Sequence, residues 1–411
     1  MLISYKYRAY PDADTELHLF ETIDTCRWLY NKLLEELNNA HENNIKLKKT
    51  DTQARIVKLK NENPFLNDVY SKVLQMVNYT LWSNIRGLSQ TKKIGRNVGK
   101  LRYKSAFRYR TLNYNQSGFK IDKDHSIIKF SKIGSIPFKM HRDYNGKVKG
   151  ILITHSKSGK WHVILQVETE ISNTKKSGKS VGIDVGLNSF LVDSDGNDIE
   201  NPRFYENSLN KIKKLQKSVS RKKRFSKNWK KAKTKLDLAY NHVINQKNDF
   251  LHKLSRSYVD TYATICIEDL NIKQLGEKGQ ATGLHRGIHS VSWGRFFSFL
   301  SYKAESAGTE IIKVDPGNTS QCDRPPGGRL STARCEMCSQ CGHIVKKTLS
   351  DRVHKCPYCG LVADRDYNAS VNIHRLGMEQ PFKSVERIPL HHISVVQVLS
   401  MKQEATSFRA W

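Results

Sequence analysis

Two short turns, Cys338-Ser-Gln-Cys341-Gly342 and Cys356-Pro-Tyr-Cys359-Gly360, stand fourteen residues apart in this chain. Each aims two thiolates at one point, and four thiolates make a closed tetrahedral site for one zinc ion. A closed site leaves no open position for chemistry, so the expected role of Zn2+ is to fold the ribbon around it. There are eight cysteines, and Cys322 and Cys335 crowd into the same region. Such crowding reads as metal binding in an intracellular chain, whereas Cys26 and Cys266 stand alone in apolar surroundings and read as packing residues. Cys335-x-x-Cys338 has the same spacing as Cys338-x-x-Cys341. Only the second register places glycine directly after its last cysteine, as Cys359-Gly360 does; the first places Ser339 there, where a positive φ would crowd a side chain. The predicted zinc ligands are therefore Cys338, Cys341, Cys356 and Cys359, with Cys322 and Cys335 as free residues of a flexible insert.

Acidic residues frame this region. Glu268 ends an alternating apolar run (Ala263, Ile265, Ile267), the pattern of a buried strand. Asp364 and Asp366 open a segment with Ala369, Val371 and Ile373 at helical spacing, and a first helical turn tolerates negative charge. Far upstream, Asp184 interrupts the strand-like run of VGIDVGLNSF just before a glycine. Carboxylates from two strands and a helix start suit two Mg2+ ions, for which Mn2+ can substitute. A pair of such ions stabilises both the attacking and the leaving oxygen of a phosphodiester. Asp269, next to Glu268, points to the other side of a strand and reads as structural.

The charge balance names the partner class. With 69 Lys and Arg against 39 Asp and Glu, the formal net charge is +30. A balance this basic predicts a polyanion, whose condensed counterions are released on binding. One basic block runs from Lys211 to Lys235, includes Lys213, Lys214, Lys217, Arg221, Lys222, Lys223 and Arg224, and contains no acid before Asp237. Its apolar residues recur at helical spacing, so long helices with a phosphate-facing side are expected. A second basic stretch, Lys92 to Arg110, interleaves rings with charge (Arg102, Tyr103, Lys104, Phe107, Tyr109), as RNA-stacking segments do. No apolar run approaches the length of a membrane span and the start lacks a signal-peptide core, so the expected location is cytoplasmic.

At 411 residues the chain is long enough for two to four domains. Residues 2–10 alternate as a strand and 13 to about 90 form a helical unit. Within that unit Leu17, Phe20, Ile23, Trp28, Leu29 and Leu33 mark one apolar stripe, residues 38–52 a turn or linker, and Pro64 the start of a second helix. Short alternating runs over 111–170 predict an antiparallel sheet or barrel that the first strand completes. A polar linker (SNTKKSGKS), a hairpin turning at DGN, a helix over 240–262, a Gly-rich mobile loop at 276–288, a helix at 293–307 and a strand at 309–314 follow.

The ordered set YKYRAYP, CRWLYNKLLEEL, GKWHVILQVE, GIDVGLNSF, QKNDFLHKLS, IEDLN, NTSQ, CGHIVKK, CPYCG and DRDYNASVNI resembles TnpB, the RNA-guided nuclease family of insertion sequences related to type V CRISPR effectors. The resemblance implies a multidomain α+β fold. Residues 1–12 and 106–180 would form a wedge-like β-barrel, with a helical recognition domain at 13–105 inserted. A RuvC-like nuclease of RNase H fold would take 181–336 and 363–376, interrupted by the zinc ribbon at 337–362, and 377–411 would be a disordered tail. Carried over, Asp184 is the first catalytic acid and Glu268 the second. Asp366 is the third because it stands two before the Asn of D-x-N-A, with Asp364 as the alternative. The implied partners are one guide RNA per protein and target double-stranded DNA, in a prokaryotic cytoplasm and on the nucleoid when DNA-bound. Two features depart from the family: LRYK at 101–104, and the stretch CDRPPGGRLSTARCEM between NTSQ and the first knuckle. A non-cleaving RNA-guided repressor would have lost the acids, and a stand-alone resolvase would have no use for the regions ahead of Asp184.

Overall fold

The computed structural model describes residues 1–170, 176–272, 282–315, 334–347 and 351–381. The chain divides into two compact units, one of residues 1–170 with 224–238, the other of 171–223 with 239–411.

The first unit opens with β1 (Leu2–Ala9). Asp12 then caps α1 (Ala13–Glu42), its carboxylate accepting from the Thr15 amide at 2.8 Å. α2 (Lys49–Glu62), a 3-10 turn (Pro64–Asp68) and α3 (Ser71–Lys93) follow. Most of the segment expected as a linker at 38–52 is thus helical. The helix at its far side buries only Thr52, Ile56 and Leu59, a stripe too thin to stand out among lysines and asparagines. Pro64 starts the 3-10 turn rather than the next helix, which begins at Ser71. On α1 the buried face is Leu19, Ile23, Cys26, Leu29, Tyr30 and Leu33, and Leu17 and Phe20 fall outside it at 57% and 40% exposure.

Six strands complete the unit: β2 (Thr111–Asn115), β3 (Phe119–Asp122), β4 (Ile127–Phe130), β5 (Gly134–Lys139), β6 (Lys147–His155) and β7 (Trp161–Glu168). Hydrogen bonds order the sheet β2-β6-β7-β1-β5-β4-β3, a near-closed barrel. The N-terminal strand sits in its interior, antiparallel to β7 from Leu2–Glu168 to Ala9–Trp161 and to β5 at Arg8–Lys139. Inward residues of the sheet and the apolar faces of the three helices share one core, which includes Tyr7, Tyr30, Tyr114 and Phe130.

The second unit is built on five strands. β8 (Ser180–Val185), β9 (Ser189–Asp193) and β10 (Asp198–Glu200) form an antiparallel meander whose second turn is Ser194-Asp195-Gly196-Asn197. α4 (Phe204–Ser220) and α5 (Lys227–Thr261), of which residues 227–238 are counted with the first unit, carry the basic block. β11 (Thr264–Glu268) lies parallel to β8, and after α6 (Thr282–Val291) and α7 (Trp293–Ala307), β12 (Glu310–Val314) lies parallel to β11. The sheet order is β10-β9-β8-β11-β12. Residues 282–288 of the expected loop are helical; 273–281, the linker residues 171–175 and the tail from 382 lie outside the described residues. The chain then forms β13 (Arg334–Met337), β14 (Ile344–Lys347), β15 (Val353–Lys355), β16 (Val362–Asp364) and α8 (Arg365–Gly377).

Strand alternation gives the five-stranded sheet two unlike faces. Val181, Ile183, Ile265 and Ile267 share one apolar core with Phe296 and Leu300 of α7 and Leu251 and Val259 of α5. The intervening residues Gly182, Asp184, Cys266 and Glu268 fall on the opposite face. There α8 packs, its Ile373 clustered with Cys266 and Val314. No helix among the described residues is long and apolar enough to cross a membrane.

Candidate active site and cysteine cluster

Asp184 is the penultimate residue of β8 and Glu268 the last of β11. Since Ile183 and Ile267 pair directly, the two acids occupy the next position on adjacent parallel strands, at their carboxyl ends. That is where open α/β sheets bind ligands. α8 can come down beside them because Gly182 has no side chain. A Cβ there would stand 2.3 Å from the Ser370 carbonyl oxygen and 2.5 Å from the His374 nitrogen.

The start of α8 separates the two candidate aspartates. Asp364 is the N-cap: its carboxylate accepts from the amides of Asp366 at 2.8 Å and Tyr367 at 3.2 Å, satisfying donors the helix leaves open. Asp366 lies inside the first turn and pairs with Arg365 at 3.2 Å. Burial, then the charges of Glu268 and Asp366, raise the pKa of Asp184 well above the carboxylate range, against the pull of the Val185 amide and Arg365. The structure therefore brings Asp184, Glu268 and Asp366 within electrostatic reach of one another. Asp269 lies outside this group and pairs with Lys313 at 2.8 Å.

A divalent cation fits what these residues show. Burial first, and then the charges of Glu268 and Asp366, disfavour the ionised form of Asp184, and a hard cation among the three carboxylates would offset both.

The cysteine cluster has its own logic. β13 pairs with β14 and β15 with β16, so each knuckle is the tip of a hairpin. The tips match bond for bond. The Cys338 amide donates to the His343 carbonyl at 2.9 Å and the Cys356 amide to the Leu361 carbonyl at 2.9 Å. Gly342 and Gly360 both have φ +74°, a conformation glycine takes without strain. The sulfurs of Cys338, Cys341, Cys356 and Cys359 lie within 4.8 Å of one another, with Cys338–Cys359 at 3.5 Å and Cys341–Cys356 at 3.6 Å. Thiolates on one zinc at ~2.3 Å would stand about 3.8 Å apart, so the cluster could hold that ion. Cys335 departs from expectation: it is a residue of β13, opposite Lys346, and not part of a loose insert. The strand it joins has a partner only across the knuckle, which local sequence does not reveal. Cys322 lies outside the described residues, and Cys26 and Cys266 are fully buried, as expected of packing residues.

Comparison with known proteins bears directly on this arrangement. A family profile described as "Probable transposase" matches residues 162–278, one described as "Cas12f1-like, TNB domain" matches 293–373, and a "Helix-turn-helix domain" matches 1–46. The first two span the two strand acids and the cysteine cluster with the start of α8. The chain is 28% identical over 389 residues to the "Putative RNA-guided DNA endonuclease InsQ" of Escherichia coli, covering 90% of this chain and 91% of that one. It is 29% identical over 222 residues to a TnpB-like protein of Acanthamoeba polyphaga mimivirus, covering 51% and 40%. The resemblance is to the TnpB family. Its fold resembles the Cas12f1 chain of a cryo-EM structure of the Cas12f1-sgRNA-target DNA complex, at TM-score 0.53, 16% identity, 89% of this chain and 83% of that one. The region matched by the helix-turn-helix profile is, in this TnpB-like chain, one strand and one long helix.

The basic candidates differ in accessibility. Lys213, Lys214, Lys217, Arg221, Lys223 and Arg224 are exposed, whereas Lys222 folds back to donate to the Ser218 carbonyl and hydroxyl, both at 3.2 Å. In the earlier basic stretch Arg102 and Tyr103 are exposed. Lys104 is half-buried, its backbone pinned to α1 by reciprocal bonds with Asn31 at 2.7 and 3.0 Å. Phe107 stacks on Phe225 with centroids 6.1 Å apart, while Tyr109 turns inward to pack against the first core. Two residues at the acid cluster escaped the sequence reading. Arg365 was discoverable as the cation inside D-R-D, and Gly182 as the glycine two before an acid in a strand.

Proposed function

We propose that this chain is an RNA-guided DNA endonuclease of a mobile element, with Asp184, Glu268 and Asp366 as its catalytic acids. One observation carries the reading: three carboxylates far apart in sequence converge at two strand ends and a helix start, where they perturb one another. The names of the E. coli relative and of the Cas12f1 neighbour support the substrate class. The three acids would hold two Mg2+ ions, or Mn2+ in their place. When bound, the ions supply charge stabilisation for phosphodiester hydrolysis. Arg365 holds Asp366 in place and offsets part of the local negative charge. Asp364 keeps the first turn of α8 ordered.

The further assignments follow from the same reading. Residues 1–12 and 106–180 act as the wedge barrel, 13–105 as the recognition domain, 181–336 and 363–376 as the RuvC-like nuclease, and 337–362 as a ribbon folded by one zinc. One protein binds one structured guide RNA and opens double-stranded DNA beside a short motif. Base pairing then selects the sequence. The basic residues of α4 and of the turn after it, with Arg102, Tyr103 and Lys104, contact phosphates or bases. The place of action is the prokaryotic cytoplasm, on the nucleoid while DNA is bound.

Glu268→Ala tests the reading. With a matched guide and Mg2+ it should abolish cutting of a plasmid target and leave guide and target binding intact. Cutting near the parent rate would remove Glu268 from the site.

A further inference from the structure

Asn368 is fully buried on α8, two residues after Asp366. Its side-chain oxygen accepts from the Ser339 amide at 2.9 Å. Its nitrogen donates to Glu336 Oε1 at 2.8 Å and to the Met337 carbonyl at 2.9 Å. One turn on, Asn372 Nδ2 donates to the same Met337 carbonyl at 2.7 Å. Ser339 lies between the first two zinc cysteines, and Glu336 and Met337 are the strand that leads into them. Glu336, 5% exposed, also forms an ion pair with Lys347 of β14 and meets His354 Nδ1 of β15 at 3.3 Å. Both hairpins thus converge on one carboxylate, and that carboxylate is tied to α8.

A buried polar network adds little stability over apolar packing of the same volume. What it supplies is direction, because its bonds form in one arrangement only. An apolar contact would let the ribbon slide along α8 by fractions of a turn. The bonds of Asn368 and Asn372 forbid that, and the helix start they hold carries Asp366.

We propose that Asn368 and Glu336 are positioning residues through which the zinc-organised ribbon sets the placement of Asp366, so that an intact ribbon governs how well the acid cluster takes up its cations. This rests on the reading of Asp366 as a cation ligand. The outer partners of metal ligands commonly matter in this way. The ribbon would then belong to the scaffold of the active site as well as to any surface it offers to nucleic acid.

The test uses the full chain with its guide RNA, as parent, Asn368→Ala and Glu336→Gln; the last keeps the shape of the network should the first fold poorly. Two quantities are read: amide hydrogen exchange over 338–342 and 366–370, and single-turnover cleavage against Mg2+ concentration. Exchange in both segments should rise together, and the Mg2+ concentration for half-maximal rate should rise about tenfold or more, with high Mg2+ restoring most of the rate. Chelating zinc from the parent should reproduce the exchange pattern. Faster exchange in the knuckle alone would overturn the link. Faster exchange in both with an unchanged Mg2+ requirement would overturn the placement of Asp366. Asp366→Ala that still cuts would remove the acid assignment and the proposal with it, a failure distinct from an inactive Asp366→Ala beside unlinked exchange.

Discussion

Gly182 and Ser370 are in contact across the sheet–helix boundary: a Cβ on Gly182 would lie 2.3 Å from the Ser370 carbonyl oxygen. The obstacle is backbone, so a larger residue cannot be accommodated by a rotamer change. Gly182→Ala should force α8 away from β8, at about 1–3 kcal/mol of stability. Because α8 carries Asp366, cleavage should fall further than the melting temperature suggests. Full cleavage with an unchanged melting curve would show that α8 does not rest on Gly182.

The raised pKa of Asp184 gives a pH signature. The unfolded carboxyl titrates near ~3.9, so above that pH the unfolded chain releases a proton that the folded one keeps. Stability is therefore lost as pH rises from there through the folded pKa. In cation-free protein Asp184→Asn should melt higher than the parent, by a margin wider at about pH 8 than at about pH 4. Added Mg2+ should stabilise the parent and leave the variant unmoved. A variant that melts lower at alkaline pH would mean that neither burial nor its neighbours penalise ionised Asp184 in the fold.

For the cysteines, bound metal is the readout. Cys341→Ser should lose zinc measured by elemental analysis, while Cys335→Ser, whose residue belongs to β13 ahead of the first knuckle, should keep it. The reverse pattern would reassign the ligands.

Exposed lysines on α4 test binding to the RNA backbone. Reversing Lys213, Lys214 and Lys217 to Glu should weaken guide binding and flatten its salt dependence, by about 0.7–0.9 in log–log slope for each phosphate no longer neutralised. An unchanged slope would leave these lysines merely solvated.

The parts legible in the sequence are those with a strong local period or fixed spacing. Alternation over residues 2–10 and 161–168 predicted strands that do pair, and paired Cys-x-x-Cys-Gly turns predicted a four-sulfur cluster. Where the signal was thin, the reading failed: α2 buries three residues in four turns, and glycines near 283–287 concealed α6. The network around Glu336 was invisible for another reason. Nothing local marks β13 as a strand, since its partners are β14 beyond the knuckle and Asn368 on α8. Similarly, spacing could not say what distinguishes Asp364 from Asp366. Capping geometry occupies the first, and the charge of the second helps to raise the pKa of Asp184.

The parallel pairing of β8 with β11, and the covering of both by α8, impose an order in time. Domains generally fold as they leave the ribosome, N-terminal parts first, and pairings distant in sequence form late. β1 to β7 are complete by Glu168, whereas Asp184 waits for Glu268 and both wait for Arg365 to emerge. A chain still being translated can therefore present its basic surfaces to RNA while one face of its second sheet is bare and its third carboxylate is unmade. On the proposed assignment, cutting is the last competence such a chain acquires, and a guide can be in place before the blade is.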